Sequence, residues 1–256
     1  MVVGSDSAAA REDVADVRDC PGAMFVPADP ALEDTSRSCA TATGVKGHRY
    51  RVQYGWQAMK LTEYDVVLKS DLDVDLNPPE SNGAKTRARW QQMLPQLTRA
   101  HRGVHSLAHA DHAAPLNTGL VLLRPSKALY DEGIDVLRRC SFNKSHGWDL
   151  VGRPRSLNLQ PRHLDGTPAT DVGLGNDPTG NRAYARDDWE FVAAELDQGF
   201  MWFMLYIRSD SGRYLRYRAN SHHNAIHYWF ANKPWVISNV VSRTEEWRLK
   251  YECAAT

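Results

Sequence analysis

Residues 1–30 alternate between apolar and polar segments in the manner of a strand, a helix and a second strand. Val2 and Val3 are apolar, residues 8–19 are polar, and residues 23–26 are apolar again. This order predicts a β-α-β opening. Residues 27–48 are rich in Pro, Asp, Ser and Thr, and this composition predicts a loop.

Two apolar segments in the middle of the chain have the pattern of buried strands. Residues 64–68 follow an amphipathic stretch at 53–62 and end abruptly in acidic residues. Residues 84–112 are predicted to be helical, with a kink at Pro95. The second apolar segment, Leu120–Leu123, is predicted as another buried strand.

A helix is predicted directly after this second strand. Pro125 and Ser126 are residue types that start helices, and Arg138 and Arg139 suit the negative end of one. Apolar residues recur between these two pairs at helical spacing: Leu129, Tyr130, Ile134 and Leu137.

The last part of the chain changes character twice. Residues 141–186 are rich in Gly, Pro, Asn and Arg and are predicted as a long irregular insertion, a lid or an acceptor-side loop. The capping-box pattern at 187–190 predicts a further helix, and an aromatic-rich segment follows it. Alternating strands and helices predict an α/β fold, with a mostly parallel central sheet flanked by helices.

Composition limits the classes of protein to consider. The 256 residues fit one large α/β domain, and the hydrophobic fraction of 42% and charged fraction of 24% are ordinary for a globular protein. Lys plus Arg and Asp plus Glu balance at 31 each, which does not favour nucleic acid as a partner. No apolar run reaches the roughly 18 residues that a membrane span needs.

The cysteines carry little information by themselves. Cys20, Cys39, Cys140 and Cys253 form no CxxC pair and no zinc-ribbon spacing. They are interpreted as scattered thiols. A single disulfide is the alternative, and the spacing does not place it.

The acidic segment after the first buried strand is the first candidate for chemistry. Ligands bind outside the carboxyl ends of strands in open α/β sheets, and alternate residues of an extended chain point the same way. Asp71 and Asp73 are therefore expected to present two carboxylates to one side, as Mg²⁺ or Mn²⁺ requires. Asp75 makes a second, competing DxD with Asp73, and a solvated acidic turn is the alternative interpretation.

Three later blocks place polar residues beside apolar runs. Asn117 and Gly119 lie at a strand entry, where a ligand can approach the backbone, or where a simple turn is formed. Asp197 and Gln198 precede an apolar run, and Asp197 alternatively caps a helix. In the aromatic-rich residues 227–235, His and Lys offer a metal ligand and a phosphate-binding ammonium, or belong to a core strand.

The order of these blocks resembles the glycogenin-like, family 8 glycosyltransferases. Leu61-Thr62-Glu63-Tyr64 is followed by Asp71-Leu72-Asp73, then by Leu116-Asn117-Thr118-Gly119 with its downstream Arg-Pro-Ser, then by Asp197-Gln198-Gly199, and finally by His227 ahead of Lys233-Pro234-Trp235. The resemblance covers roughly residues 1–140 and 187–235 and leaves out the insertion.

The resemblance implies a single GT-A domain over residues 1–256 and a retaining, Mn²⁺-dependent hexosyltransferase that uses a UDP-sugar; Mg²⁺ is the alternative metal. It implies Asp71, Asp73 and His227 as metal ligands and Lys233 as the pyrophosphate contact. Asn117, Gly119, Asp197 and Gln198 are implied as donor-sugar contacts, with Asp197 orienting the sugar as the catalytic residue. A glycan, a protein or a small molecule is implied as acceptor.

Departures from the family pattern add further expectations. The family's first strand, which cradles the uridine, has no counterpart, so an N-terminally truncated chain is expected. Gly55 stands where the family often has a basic residue, and Phe230 stands where it usually has Gly.

The chain as given is expected to be soluble, either in the cytoplasm or, with an anchor upstream of residue 1, in the Golgi lumen.

Two other functions fit parts of the sequence. A nucleotide-sugar-binding pseudoenzyme or inactive fragment fits the missing first strand. A zinc hydrolase fits the histidines at 101, 105, 109 and 112, whose spacing would bring them together on one helix face. A solvated helix face is the competing interpretation of these histidines.

Overall fold

The computed structural model describes residues 2–4, 25–47, 49–71, 74–75, 94–108, 114–153, 162–163, 165–168, 189–209 and 226–227. These residues form a mixed helix and strand structure. Its strands are β1 (Val2–Gly4), β2 (Phe25–Pro27), β3 (Val67–Ser70), β4 (Val74–Asp75), β5 (Ser106–Ala108), β6 (Leu120–Leu123), β7 (Phe142–Asn143), β8 (Gly147–Trp148) and β9 (Ile226–His227). Its α-helices are α1 (Pro30–Ala42), α2 (Lys127–Arg139) and α3 (Asp197–Trp202), the last continued by a π-helical segment, Phe203–Arg208.

The sheet that positions the candidate site has β6 in its centre, between β3 and β5. Both pairings are antiparallel, and the register places Ser70 opposite Leu120. The predicted mixture of helices and strands is confirmed, but these strands do not form the predicted mostly parallel sheet. The parallel pairing in the described part is that of β1 with β2. Apolar runs indicate buried strands without indicating their relative direction, which explains the error.

The predicted loop at 27–48 is wrong, because most of it is α1. Asp29 caps this helix by accepting a hydrogen bond from the Ala31 amide at 2.9 Å, and Pro30 occupies the first turn. Asp followed by Pro is a helix-start signal, which outweighs the loop-like composition of the segment. Lys60 also reaches the Asp29 carboxylate, at 2.6 Å, from a 3₁₀-helical segment that spans Arg49–Lys60.

A disulfide joins α1 to the end of α2. Cys39 and Cys140 are bonded, with Cα atoms 5.1 Å apart and a sequence separation of 101. The interpretation of these two cysteines as scattered thiols is therefore wrong. Cys140 adopts the left-handed conformation at the end of α2, which turns its side chain towards α1.

The helix predicted after Pro125 is confirmed as α2. Ser126 caps it by accepting from the Leu129 amide at 3.3 Å, and Arg138 and Arg139 lie in its last turn. The predicted strand Leu120–Leu123 is likewise confirmed as β6.

Other boundaries differ from the predictions. The helix predicted over 84–112 is described at 94–99, and 106–108 form β5 instead. The predicted insertion begins with the hairpin of β7 and β8. The helix predicted to open at 187–190 begins at Asp197, because 189–196 form turns.

Aromatic side chains surround α3 and hold it in the core. Phe200 packs edge-on against Trp56 and Trp148, and Trp202 packs against Trp189. No helix within the described ranges is both long enough and apolar enough to cross a membrane.

Candidate functional site

The site is built where β3 ends beside the entry to β6. The Asp71 amide donates to the Gly119 carbonyl at 2.8 Å, continuing the β3–β6 pairing by one residue. The Gly119 amide in turn donates to the Asn117 side-chain oxygen at 2.8 Å, and Asn117 is buried. The structure thus brings together the start of the acidic segment and the Asn-Thr-Gly block, because antiparallel pairing sets the end of β3 beside the entry to β6.

Lys69 joins these two blocks through its side chain. Its ammonium lies 2.5 Å from Asp71 Oδ1 and also donates to the Thr118 carbonyl. Lys69 and Asp71 are two residues apart on an extended chain, so their side chains point to the same side. Sequence reasoning missed Lys69, although a lysine within the apolar segment 66–70 is a signal that a carboxylate lies near.

Asp197 completes the cluster from the start of α3. Its Oδ2 accepts a hydrogen bond from the Thr118 hydroxyl at 2.5 Å, across 79 positions of sequence. Both residues are buried. Leu196, not Asp197, is the N-cap residue of α3, so the alternative interpretation of Asp197 as the cap is wrong, although its side chain accepts a hydrogen bond from the Gln198 backbone amide.

Burial raises the pKa of the Asp197 carboxyl above its usual range. The Lys69 ammonium and the Thr118 hydroxyl lower this pKa, and the charge of Asp71 raises it. The net direction is upward, which means that removal from water outweighs the stabilisation of the ionised form.

Gln198 and Gly199 follow Asp197 in different roles. The buried Gln198 Oε1 has no hydrogen-bond partner among the described residues. A Cβ at Gly199 would lie 1.8 Å from the Ala194 carbonyl oxygen, so this glycine allows the turn before α3 to close.

The predicted metal ligands are described only in part. The Asp71 side chain is 44% exposed, and Lys69 pairs with its Oδ1. Its other carboxylate oxygen is a ligand of the type that hard cations prefer. The backbone of β9 pairs with that of β4, which places His227 opposite Val74, the residue after Asp73 in sequence. Asp73 and Lys233 lie outside the described residues.

The described ranges, taken alone, contain no group of three His, Cys, Asp or Glu side chains arranged to hold a metal. Of the three implied metal ligands, Asp71 is the one whose side chain the structure describes. Its accessible carboxylate oxygen is a ligand of the kind that Mn²⁺ accepts.

The helical arrangement expected for the zinc alternative does not hold for its first two histidines. His101 follows the helical residues 94–99 in a turn, and His105 directly precedes β5. Burial lowers the pKa of His105. His109 and His112 lie outside the described part of the chain.

No protein-family model matches the sequence, and comparisons with curated proteins and with solved structures gave no match. The function is therefore inferred from the residues and their geometry.

Proposed function

We propose that this chain is a glycogenin-like, family 8 glycosyltransferase with a GT-A fold. It transfers a hexose from a UDP-sugar to an acceptor hydroxyl with retention of configuration, and it uses Mn²⁺ or Mg²⁺. The five sequence blocks in family order are the starting point of this proposal.

The observation that supports it most is the meeting of three of these blocks. Asp71, Thr118 and Asp197 come from separate parts of the chain, and Lys69 and the Thr118 hydroxyl connect them into one polar cluster. Buried polar clusters at strand ends are costly unless a ligand or a structural need maintains them. The Asp197 carboxylate is held in this cluster by three groups, since the Lys69 charge, the Thr118 hydroxyl and the Gln198 backbone amide all stabilise its ionised form.

Each group then has a role that its chemistry permits. Asp71, Asp73 and His227 hold the metal, which when bound neutralises charge on the diphosphate. Asp197 accepts hydrogen bonds from the donor sugar and orients it, with Asn117, Gly119 and Gln198 as neighbouring contacts. Lys233 donates to the pyrophosphate.

The experiment is a panel of UDP-sugars with Mn²⁺, scored for donor hydrolysis in wild type, Asp73→Asn and Asp131→Asn. Asp131 is exposed and pairs with Lys127 on α2, so its variant controls for the loss of one carboxylate elsewhere. Hydrolysis is expected to fall at least about 100-fold in D73N and to stay unchanged in D131N.

Equal rates in wild type and D73N would refute the metal assignment. Binding of UDP and Mn²⁺ with no hydrolysis of any donor would instead assign a nucleotide-sugar-binding protein without transferase activity.

A further inference from the structure

Lys69 lies in an unusual electrostatic position for a strand residue. Its side chain is only 12% exposed, and it makes its ion pair with Asp71, the first residue after the strand. Its charge also acts on Asp197, whose pKa it lowers. One ammonium therefore serves two carboxylates, and both belong to the site proposed above.

The path of the Lys69 side chain is fixed by a glycine. A Cβ at Gly55 would lie 2.8 Å from Lys69 Cε. The absence of a side chain at position 55 gives the lysine stem room to reach Asp71 and Thr118. The 3₁₀-helical segment that contains Gly55 thus takes part in placing the ammonium.

We propose that Lys69 is a positioning residue that acts as a built-in counter-ion for Asp71, and that a divalent cation competes with it for this carboxylate. The inference rests on the proposed function, because it takes Asp71 as a metal ligand. Before the metal binds, the ammonium holds Asp71 in place through their ion pair. It also holds Thr118, the residue that donates to Asp197, through the Thr118 carbonyl. When a cation binds Asp71, the ion pair between Lys69 and Asp71 is broken, and Lys69 keeps its hydrogen bond to the Thr118 carbonyl.

Lys69 therefore has two opposing effects: it holds the site residues in place, and it lowers the affinity of Asp71 for a cation. A positive charge at ion-pair distance from a metal ligand weakens cation binding, on the order of tenfold in a partly exposed site. Removing the charge while keeping a donor should therefore tighten metal binding. A residue that only filled space would produce no such gain.

The test is a titration with Mn²⁺ alone, followed by the EPR signal of the free ion, in wild type, Lys69→Gln, Lys69→Arg and Lys127→Gln. K69Q keeps an N–H donor and loses the charge, and K69R keeps the charge. K127Q removes an exposed lysine that pairs with Asp131, as a control for net charge. The dissociation constant is expected to fall about tenfold in K69Q and to stay within about threefold of wild type in the other two variants.

An unchanged or weaker affinity in a folded K69Q would overturn the inference. Binding in K69Q but not in wild type would support Lys69 as the competitor while contradicting metal use by the native chain, and no binding in either would overturn both proposals. If K69Q does not fold, Gly55→Ala tests the same point by displacing the lysine stem without changing any charge. Tighter binding is expected in G55A, and unchanged binding would count against competition.

Discussion

The Thr118 hydroxyl donates to the Asp197 carboxylate at 2.5 Å, and this hydrogen bond links the entry of β6 to the start of α3. Asp197 is buried, and besides this bond only the Lys69 charge and the Gln198 backbone amide are found to stabilise its ionised form among the described residues. The bond therefore couples the position of the helix to the ionisation of one carboxyl. Changes to either residue should affect stability in a pH-dependent way.

Asp197→Asn is expected to stabilise the folded chain at neutral pH. The folded-state pKa of Asp197 lies above its unfolded value, so between these two pKa values the folded state keeps a proton that the unfolded state has lost. The stability of wild type should thus decrease as pH rises from the unfolded pKa through the raised folded pKa, and should level off above it. D197N lacks this slope and should be more stable at pH 7 by roughly 1 kcal/mol, while donor hydrolysis is lost.

Urea unfolding of both proteins across pH 4 to 8 measures this difference. Glu190→Gln, which replaces an exposed acid near α3, serves as the control and should follow the wild-type curve. A D197N curve that runs parallel to wild type would contradict the raised pKa.

Thr118→Val is expected to destabilise the chain, and more so at neutral than at acidic pH. Valine matches the shape of threonine but leaves the ionised Asp197 without its hydroxyl donor, and an unsatisfied buried charge costs about 1–3 kcal/mol. Thr118→Ser keeps the hydroxyl and is the matched control. Thermal unfolding at pH 5 and pH 7 should separate the two variants, and equal losses in both at each pH would contradict the role of the hydroxyl.

Much of the local structure was predictable because it depends on short-range signals. β6 was found from its apolar residues, and α2 from its cap, its periodicity and the arginines at its end. The Ser, Thr and Asp content around α1 is typical of a loop, and the helix start at Asp29 and Pro30 outweighs it. This helix start is a local signal, because it depends only on the Asp29 side chain and the neighbouring Pro30.

The candidate site was predictable only in outline. Asp71, Asn117 and Asp197 were identified in advance, since each lies beside an apolar run. Their connection through Lys69 and Thr118 depends on how distant segments pack, which residue spacing does not encode. The pairing of Cys39 with Cys140 cannot be predicted from the sequence for the same reason, because it depends on the contact between α1 and α2.

Gly199→Ala is expected to be strongly destabilising. The added Cβ would meet backbone atoms of Ala194, with its carbonyl oxygen at 1.8 Å, and backbone cannot move aside as a flexible side chain can. The loss should be about 3 kcal/mol or more, and α3 with Asp197 should shift. Gly55→Ala is the comparison, because its Cβ meets the flexible stem of Lys69 and should change stability by no more than about 1 kcal/mol. Similar unfolding midpoints for the two variants in urea would contradict the tight turn before α3.

Removal of the Cys39–Cys140 disulfide is expected to lower stability substantially. The bond closes a loop of 101 positions, and the chain-entropy estimate for such a loop is about 4–5 kcal/mol. The paired variant Cys39→Ala with Cys140→Ala keeps the small buried side chain at position 39, so most of the loss should reflect the missing cross-link. The Tm of wild type should fall when a thiol reductant is added, whereas the Tm of the double variant should not change through loss of this bond. Peptide mapping without reduction should recover the two cysteines in one linked fragment, and recovery of both as alkylated free thiols from protein folded under oxidising conditions would contradict the bond.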